Sequence, residues 1–273
     1  RWRSPGEILS MPGDLDQKVA IITGGASGIG RATALAMVEA GAKVVIADIN
    51  EEGARRTATQ IGEAAMAFQM DVSAEDDWTA VTEETIRHFG RLDIVGNIAG
   101  IGRGGTIEDV TLDDWNAMIA VNLTGVMLGC KHGIKAIHKS GGAGAIINMS
   151  SIGGLIGVSD IAAYCGSKGG VTTLTKSVAL HCAEQGYPIR CMSVHPTYVD
   201  SEMLDPVAEM AGVSRAELVS GMAPLVPMKR VATPQDVANT IVFLASDKAA
   251  MISGSAIAVD GAQLAGPPPA HFS

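Results

Sequence analysis

Positive charge is scarce in this sequence: the 273-residue chain has 20 lysine and arginine residues and 29 acidic residues, and its net charge is −9. Phosphate backbones and anionic lipid surfaces attract proteins through clustered basic side chains. We therefore expect neither nucleic acid nor a membrane as a partner. Charged residues make up only 18% of the chain and apolar residues 47%, which excludes a charge-rich disordered chain and favours a globular protein.

Long apolar runs are missing as well. The longest, residues 117–130, is interrupted by Asn122, Thr124 and Gly125, so it falls short of the ~20 apolar residues that cross a bilayer. Residues 1–10 show no apolar stretch of the secretory kind and precede Met11. We treat residues 1–16 as an N-terminal extension or a remnant of cloning, and we expect a cytoplasmic protein.

Cysteine is rare, and its spacing excludes the usual cysteine frameworks. The four cysteines lie in otherwise apolar segments and none has CxxC spacing; they are Cys130, Cys165, Cys182 and Cys191. Buried free thiols in a reducing compartment are therefore favoured over disulfides or a zinc site. The histidines show no metal-ligand spacing either, and we expect no metal.

Short β-branched runs alternate with longer helical patterns along the chain. The predicted strands are residues 19–23, 43–48, 65–70, 92–98, 145–150, 189–195 and 256–260. Strands that alternate with helices and are apolar on both faces indicate a parallel sheet covered on both sides. We predict an α/β fold: one domain over residues 17–265, with a doubly wound, seven-stranded parallel sheet. Residues 196–229 form a helical excursion for substrate binding, and residues 266–273 form a tail.

A glycine turn follows the first predicted strand and opens a helix. It runs from Thr23 to Gly30 with the spacing G-x-x-x-G-x-G, and Asp48 ends the second strand 18 residues later. Missing Cβ atoms allow a backbone to approach a pyrophosphate, and a carboxylate at the second strand can accept hydrogen bonds from an adenosine ribose. Taken singly, the turn could be a structural loop and Asp48 a solvated acid. Together they favour NAD over NADP, because residues 46–53 contain no cation.

Tyr164 and Lys168 lie four positions apart on a predicted helix and so share one face. A nearby ammonium favours the phenolate and makes a tyrosine usable as a general base. On its own, this spacing is also typical of a surface pair. His195, at the end of the sixth strand, is interpreted as a packing or hydrogen-bonding residue rather than a base.

Taken together, these motifs resemble the short-chain dehydrogenase/reductase family over residues 17–265. The resemblance rests on the glycine turn, Asp48, Asp71-Val72, Asn97-Ile98-Ala99-Gly100, Asn122, Ser151, Tyr164-x-x-x-Lys168, His195-Pro196 and Asp260-Gly261. It implies a Rossmann-like fold and an oxidoreductase. Two positions depart from the family pattern: Ile98 replaces a second asparagine, and Thr197 stands where glycine is usual.

The resemblance also implies site residues. Tyr164 would be the acid/base, Lys168 would also hold the nicotinamide ribose, Ser151 would polarise the substrate oxygen, and Asn122 would anchor a relay water. Ser150 is an alternative to Ser151, and the 13-residue interval to Tyr164 favours the latter. The implied NAD-binding residues are Gly24, Ser27, Gly28, Ile29, Gly30, Asp48, Ile49, Asp71, Val72, Asn97, Ala99, Gly100, Tyr164, Lys168, Pro196, Val199 and Ser201.

The excursion and the facing loops are apolar, and cations there are few, chiefly Arg103 and Arg215. We expect a bulky, uncharged secondary alcohol or its ketone as the substrate. Its candidate contacts are Ser151, Ile152, Tyr164, Tyr198, Met203, Leu204 and Val207. A small hydroxy acid, or a nicotinamide-binding regulatory protein without catalysis, are the alternatives. The long apolar helices predicted at 111–138 and 161–183 favour a homo-oligomer, a dimer or a tetramer.

Overall fold

The strands of the computed structural model, which describes residues 13–266, form one sheet. They are β1 (Val19–Thr23), β2 (Lys43–Asp48), β3 (Ala65–Gln69), β4 (Ile94–Asn97), β5 (Gly144–Met149), β6 (Ile189–Pro196) and β7 (Ala256–Val259). Their order is β3-β2-β1-β4-β5-β6-β7, and every neighbouring pair is parallel. The predicted doubly wound parallel sheet is confirmed. The strand order reverses between β1 and β4, which is where ligands bind in folds of this class.

The helices that cover the sheet are α1 (Gly28–Glu39), α2 (Glu51–Ile61), α3 (Glu75–Phe89), α4 (Leu112–Ile119), α5 (Gly125–Lys139), α6 (Ala162–Glu184), α7 (Asp205–Ala211), α8 (Arg215–Met222) and α9 (Pro234–Ala245). The two faces of the sheet have separate apolar cores. Ile22 and Ile46 belong to the core that contains α1 and α9, whereas Ile21 and Val45 belong to the core with α3, α5 and α6. Successive strand residues point to opposite faces, so a strand buried on both sides is apolar throughout.

The predicted helix at 111–138 is interrupted in the structure. A π-helical turn at Ala120–Thr124 separates α4 from α5 and contains Asn122. Turns of this kind are frequent at functional sites. The joined stretch Leu112–Lys139 is long and apolar enough to cross a membrane by length and composition alone. Here α5 packs against α3 and α4 against α6, and 44% of the most apolar window of the joined stretch is buried.

Several strand boundaries differ from the predicted ones by one residue, and two differences are larger. Leu15 is fully buried and its amide donates to the carbonyl of Ala40 at 2.9 Å, so the packed fold includes residues 13–16. β4 begins at Ile94 rather than at residue 92, and the Asp93 carboxylate before it accepts from the Val19 amide at 3.0 Å and pairs with Arg91. Residues 1–12 and 267–273, including most of the predicted extension and tail, lie outside the described residues.

The segment that follows β6 contains α7, α8 and two short 3-10 turns, Glu202–Leu204 and Ala223–Leu225. Its first part lies over the carboxyl end of the sheet, where Tyr198, Met203 and Leu204 line the same cleft as the glycine turn. The excursion at residues 196–229 is thus helical and next to the candidate site.

Candidate active site

A cleft of about 500 Å³ opens where β1, β4, β5 and β6 end. Most residues predicted for coenzyme, substrate and chemistry line it: Gly24, Ser27, Gly28, Ile29, Gly30, Asp48, Ile49, Asp71, Val72, Ala99, Gly100, Ser151, Ile152, Tyr164, Lys168, Pro196, Tyr198, Val199, Ser201, Met203 and Leu204. Asn97, Asn122 and Val207 are not among the lining residues. The topology therefore brings together motifs that lie as much as 180 residues apart, from Gly24 to Leu204.

Two glycines of the turn, Gly24 and Gly30, leave no space for a side chain. Gly24 has a φ of +69°, and a Cβ there would stand 2.9 Å from the Ala99 Cα. A Cβ on Gly30 would stand 2.1 Å from the carbonyl oxygen of Gly24. α1 begins at Gly28, and its N-cap residue Ser27 makes no side-chain capping bond. The glycine turn and the start of α1, here called the cradle, thus allow the backbone to approach a ligand closely and offer free helix N–H groups. Both features fit the diphosphate of a dinucleotide.

Asp48 is fixed at the end of β2 by two backbone donors. Its Oδ2 accepts from the Ala26 amide at 3.0 Å, and its Oδ1 accepts from the Asn50 amide at 2.9 Å. The nearest arginines along the chain, Arg55 and Arg56, pair with Glu51 and Glu52 on the surface of α2. Among residues 13–266, Lys168 is the only lysine or arginine that lines the cleft, so no other lining cation accompanies the Asp48 carboxylate.

Asp71 and Val72 follow β3 and also border the cleft. The Asp71 Oδ1 accepts from the amide and the hydroxyl of Ser73, and the Val72 carbonyl accepts from the Trp78 indole at 2.8 Å. Asn97 instead is buried below the cleft, where its amide donates to Asn148 at 2.8 Å and links β4 to β5. The structure thus gives Asn97 a role in holding the strands together.

Tyr164 and Lys168 lie one turn apart on α6. The Lys168 Nζ donates to the Met149 carbonyl at 2.9 Å and lies 5.6 Å from the centroid of the Tyr164 ring. Burial lowers the pKa of the Lys168 ammonium from 10.5 to about 8, because no carboxylate compensates its charge. Burial also raises the pKa of the Tyr164 phenol, and the neighbouring Ser151 hydroxyl opposes that rise.

The structure separates the two serines after β5. The Ser150 hydroxyl is buried and donates to the Lys168 carbonyl at 2.9 Å. The Ser151 Oγ accepts from the Gly153 amide at 3.1 Å, and Ser151 is the serine that acts to lower the pKa of Tyr164. The hydroxyl next to the phenol is therefore that of Ser151, the one favoured by spacing.

Asn122 is fully buried in the π-helical turn. Its Oδ1 accepts from the Ile101 amide at 2.8 Å, and its Nδ2 donates to the Ile101 carbonyl at 2.9 Å and to the Ser167 hydroxyl at 3.1 Å. These bonds fix the loop after β4 against α6. The side chain of Asn122 thus positions the cleft wall without lining it, and the relay water stays a prediction.

Thr197 replaces the usual glycine without backbone strain. Within residues 13–266, the non-glycine residues with positive φ are Gln17, Lys229 and Ala262, so Thr197 adopts an ordinary conformation. Its amide donates to the Val259 carbonyl at 3.2 Å and its hydroxyl to Gln263. The neighbouring wall is held by the segment after β7.

Several lining residues were missed by the sequence analysis, among them Met70, Val121, Met149, Gly153, Ile161 and the acidic residue Glu202. The Glu202 carboxylate lies 3.4 Å from the position that a Cβ of Gly28 would take, at the start of α1. A single acid in a polar loop gives no sequence signal for this contact. It places a negative charge beside the cradle.

Between residues 13 and 266, no three His, Cys, Asp or Glu side chains lie close enough together to hold a metal ion. Cys130, Cys182 and Cys191 are buried free thiols, and Cys165 is half-buried.

Fold and cleft together define a dinucleotide-binding α/β protein with a tyrosine, a lysine and a serine beside the cofactor cradle. A family model described as enoyl-(acyl carrier protein) reductase matches residues 24–262. The chain belongs to the short-chain dehydrogenase/reductase family, whose members are oxidoreductases with nicotinamide cofactors.

Three curated relatives illustrate the similarity. The 3-beta-hydroxysteroid dehydrogenase of Comamonas testosteroni is 37% identical over 93% of this chain and 98% of its own. The cyclohexanol dehydrogenase of Acinetobacter sp. (strain SE19) is 39% identical over 92% of this chain and 97% of its own. The NADP-dependent (R)-specific alcohol dehydrogenase of Lentilactobacillus kefiri is 39% identical over 90% and 96%.

Proposed function

We propose that this protein is an NAD-dependent dehydrogenase that interconverts a bulky, uncharged secondary alcohol and its ketone. The observation that carries the proposal is the arrangement of Tyr164 and Ser151 in one cleft, with the Lys168 ammonium 5.6 Å from the tyrosine ring. Three relatives with more than a third of their residues identical are named as alcohol or hydroxysteroid dehydrogenases, which supports the same reaction class.

Tyr164 is the residue that removes or returns the proton of the substrate hydroxyl. In alcohol oxidation its phenolate removes the hydroxyl proton, and in ketone reduction its phenol returns one. Lys168 favours the phenolate through its positive charge, and the resemblance gives it the nicotinamide ribose as well. Ser151 holds the substrate oxygen, because its Oγ already accepts from the Gly153 amide and its hydroxyl hydrogen is left to donate.

The coenzyme would be held by the glycine cradle, by Asp48 at the adenosine ribose and by Asp71 and Val72 at the adenine. When bound, the nicotinamide coenzyme supplies the acceptor for the hydride of the alcohol carbon. Pro196, Val199 and Ser201 also line the cleft and would position the carboxamide.

NAD rather than NADP is proposed because of Asp48. A 2′-phosphate beside this carboxylate would meet a like charge, and Arg55 and Arg56 are already paired with Glu51 and Glu52. One of the relatives is named as NADP-dependent, so membership of the family does not decide between NAD and NADP. The proposal of NAD therefore rests on Asp48 and on the paired arginines.

The uncharged substrate is proposed from the cations around the cleft. Arg103 pairs with Asp114, and Arg215 pairs with Asp200 and with Asp205. A carboxylate or phosphate on the substrate would have to displace one of these partners to be neutralised. Apolar side chains such as Ile152, Val158 and Met203 line the cleft instead.

Two rival functions remain to be separated from this one. A nicotinamide-binding protein without catalysis would bind NADH and turn over nothing, whereas an enzyme for small hydroxy acids would prefer those to neutral alcohols. NADH absorbance at 340 nm, followed with NAD and a panel of secondary alcohols and hydroxy acids, distinguishes all three. We expect turnover of ring-containing neutral alcohols.

Exposed apolar side chains on α4, α5 and α6, among them Leu112, Met127 and Leu180, support a homo-oligomer, a dimer or a tetramer. Buried free thiols at Cys130, Cys182 and Cys191 suit a reducing compartment, and we propose a cytoplasmic location.

A further inference from the structure

His195 is a buried titratable residue that neither the cleft nor the proton chemistry uses. It lies near the end of β6, its side chain is fully buried, and it is not among the residues that line the cleft. Both ring nitrogens are nevertheless engaged: Nδ1 lies 2.8 Å from the carbonyl oxygen of Ser151, and Nε2 lies 2.8 Å from the Ser193 hydroxyl.

These contacts allow one arrangement of hydrogens in the neutral ring. A carbonyl oxygen only accepts, so Nδ1 must carry the proton and donate to Ser151. Nε2 is then the acceptor, and the Ser193 hydroxyl donates to it. Burial lowers the pKa of His195 below 6.5, with Lys168 and Lys176 adding to the shift, so the ring is neutral at physiological pH.

The hydrogen bond between His195 and the Ser151 carbonyl lies just beyond the last backbone hydrogen bond between β5 and β6. The Ser150 amide makes the last ladder bond, to the Val194 carbonyl at 2.9 Å. One residue later the chain turns, and the Ser151 carbonyl accepts from the Gly154 amide at 2.9 Å and from His195. His195 thus ties the main chain of Ser151 to β6, beyond the reach of the regular strand pairing.

We propose that His195 is a positioning residue that fixes the main chain of Ser151, and thereby the direction of the Ser151 hydroxyl, through the relay Ser193 to His195 to the Ser151 carbonyl. The inference rests on the proposed function, since it assigns His195 to the holding of the substrate oxygen. It excludes His195 as a general base, because its only lone pair accepts from Ser193 and its ring lies outside the cleft.

The test compares two variants that carry the same amide group, at the end of a shorter side chain in asparagine and of a longer side chain in glutamine. In His195→Asn the amide nitrogen occupies the place of Nδ1 and can still donate to Ser151, whereas in His195→Gln it occupies the place of Nε2 and cannot. We expect kcat for alcohol oxidation within about threefold of the wild type in His195→Asn and lowered about 10-fold or more in His195→Gln, because small displacements of reacting groups are costly. The Kd for NADH, from its fluorescence, should stay within about twofold in both.

Equal kcat values for the two variants at unchanged NADH affinity would overturn the positioning role while leaving the proposed function intact. A loss of NADH affinity in parallel with kcat in His195→Gln would also overturn it, because that result indicates general disruption of the fold. A wild-type protein that turns over no alcohol in the panel would overturn both proposals. Ser193→Ala provides a further arm: it removes only the distal bond, and its kcat should fall between those of the wild type and His195→Gln.

Discussion

The Nζ atom of Lys168 lies 5.6 Å from the ring centroid of Tyr164 and is anchored by the carbonyl of Met149 at 2.9 Å. The ammonium is thus held in place by a neutral group and has no carboxylate to stabilise it. Burial then lowers the pKa of Lys168 to about 8 and raises that of Tyr164. Because the Lys168 ammonium lies this close to the tyrosine ring, we expect the two groups to titrate as an interacting pair.

This coupling predicts the pH dependence of the reaction. Loss of one proton from the pair gives either a lysine amine beside a phenol or an ammonium beside a phenolate, and the second form is the reactive one in oxidation. kcat/KM for alcohol oxidation should therefore rise with pH and level off above about 8, whereas ketone reduction should fall over the same range. Lys168→Met should shift the rise towards higher pH, where Tyr164 titrates without help. An unshifted profile in a variant that still binds NADH would contradict the coupling.

Coenzyme choice follows from Asp48. NAD should be preferred over NADP by ~10²-fold in kcat/KM, or roughly 3 kcal/mol. Asp48→Asn is the matched variant: it can still accept from the Ala26 and Asn50 amides but lacks the negative charge. Its preference for NAD should drop by about 10-fold or more in initial-rate measurements with both coenzymes. A wild type with equal kcat/KM for the two would show that Asp48 does not face the ribose.

Met203 tests the apolar wall of the cleft. It lines the cleft and is half-exposed, whereas Met210 on α7 is 79% exposed and lies outside the lining. Met203→Ala should raise KM about 5-fold for polycyclic alcohols and little for cyclohexanol, since only the larger substrates bury area against it. Met210→Ala should leave both KM values unchanged. The same change in KM for large and small substrates would argue against a wall at Met203.

Assembly is tested on the exposed face of the long helices. Leu112 is 71% and Leu180 62% exposed, an unusual placement for leucine on a core helix. Light scattering at micromolar concentration should give two or four times the 28.0 kDa chain mass. Leu180→Glu should shift the protein to smaller species, whereas Ile107→Glu, at an equally exposed loop residue, should not. A wild-type mass of 28 kDa would refute the oligomer.

The sequence predicted the fold well because each strand is short, apolar on both faces and bounded by glycine or helix signals. It predicted most of the cleft for a related reason: Gly24, Asp48, Ser151 and Pro196 end neighbouring strands, and parallel topology brings their carboxyl ends together. It did not predict the π-helical turn at Asn122, because that turn depends on bonds to Ile101 and Ser167 from distant segments.

The remaining differences also arise from tertiary contacts. Asn97 was assigned to the coenzyme, but it lies below the cleft, and its side-chain amide donates to Asn148 on the neighbouring strand β5. Val207 was assigned to the substrate and is 42% exposed on α7, away from the lining. Neither hydrogen-bond partners across a sheet nor the direction of a short helix can be inferred from local periodicity.

The central claim is that Tyr164 is the acid/base, and Tyr164→Phe tests it most directly. The variant keeps the ring and its packing and loses only the hydroxyl. We predict that kcat for alcohol oxidation, followed as NADH absorbance at saturating substrate, falls ~10²-fold or more while the Kd for NADH stays within about twofold. A variant that keeps more than about a tenth of the wild-type kcat would contradict the account, because positioned proton transfer contributes more than that.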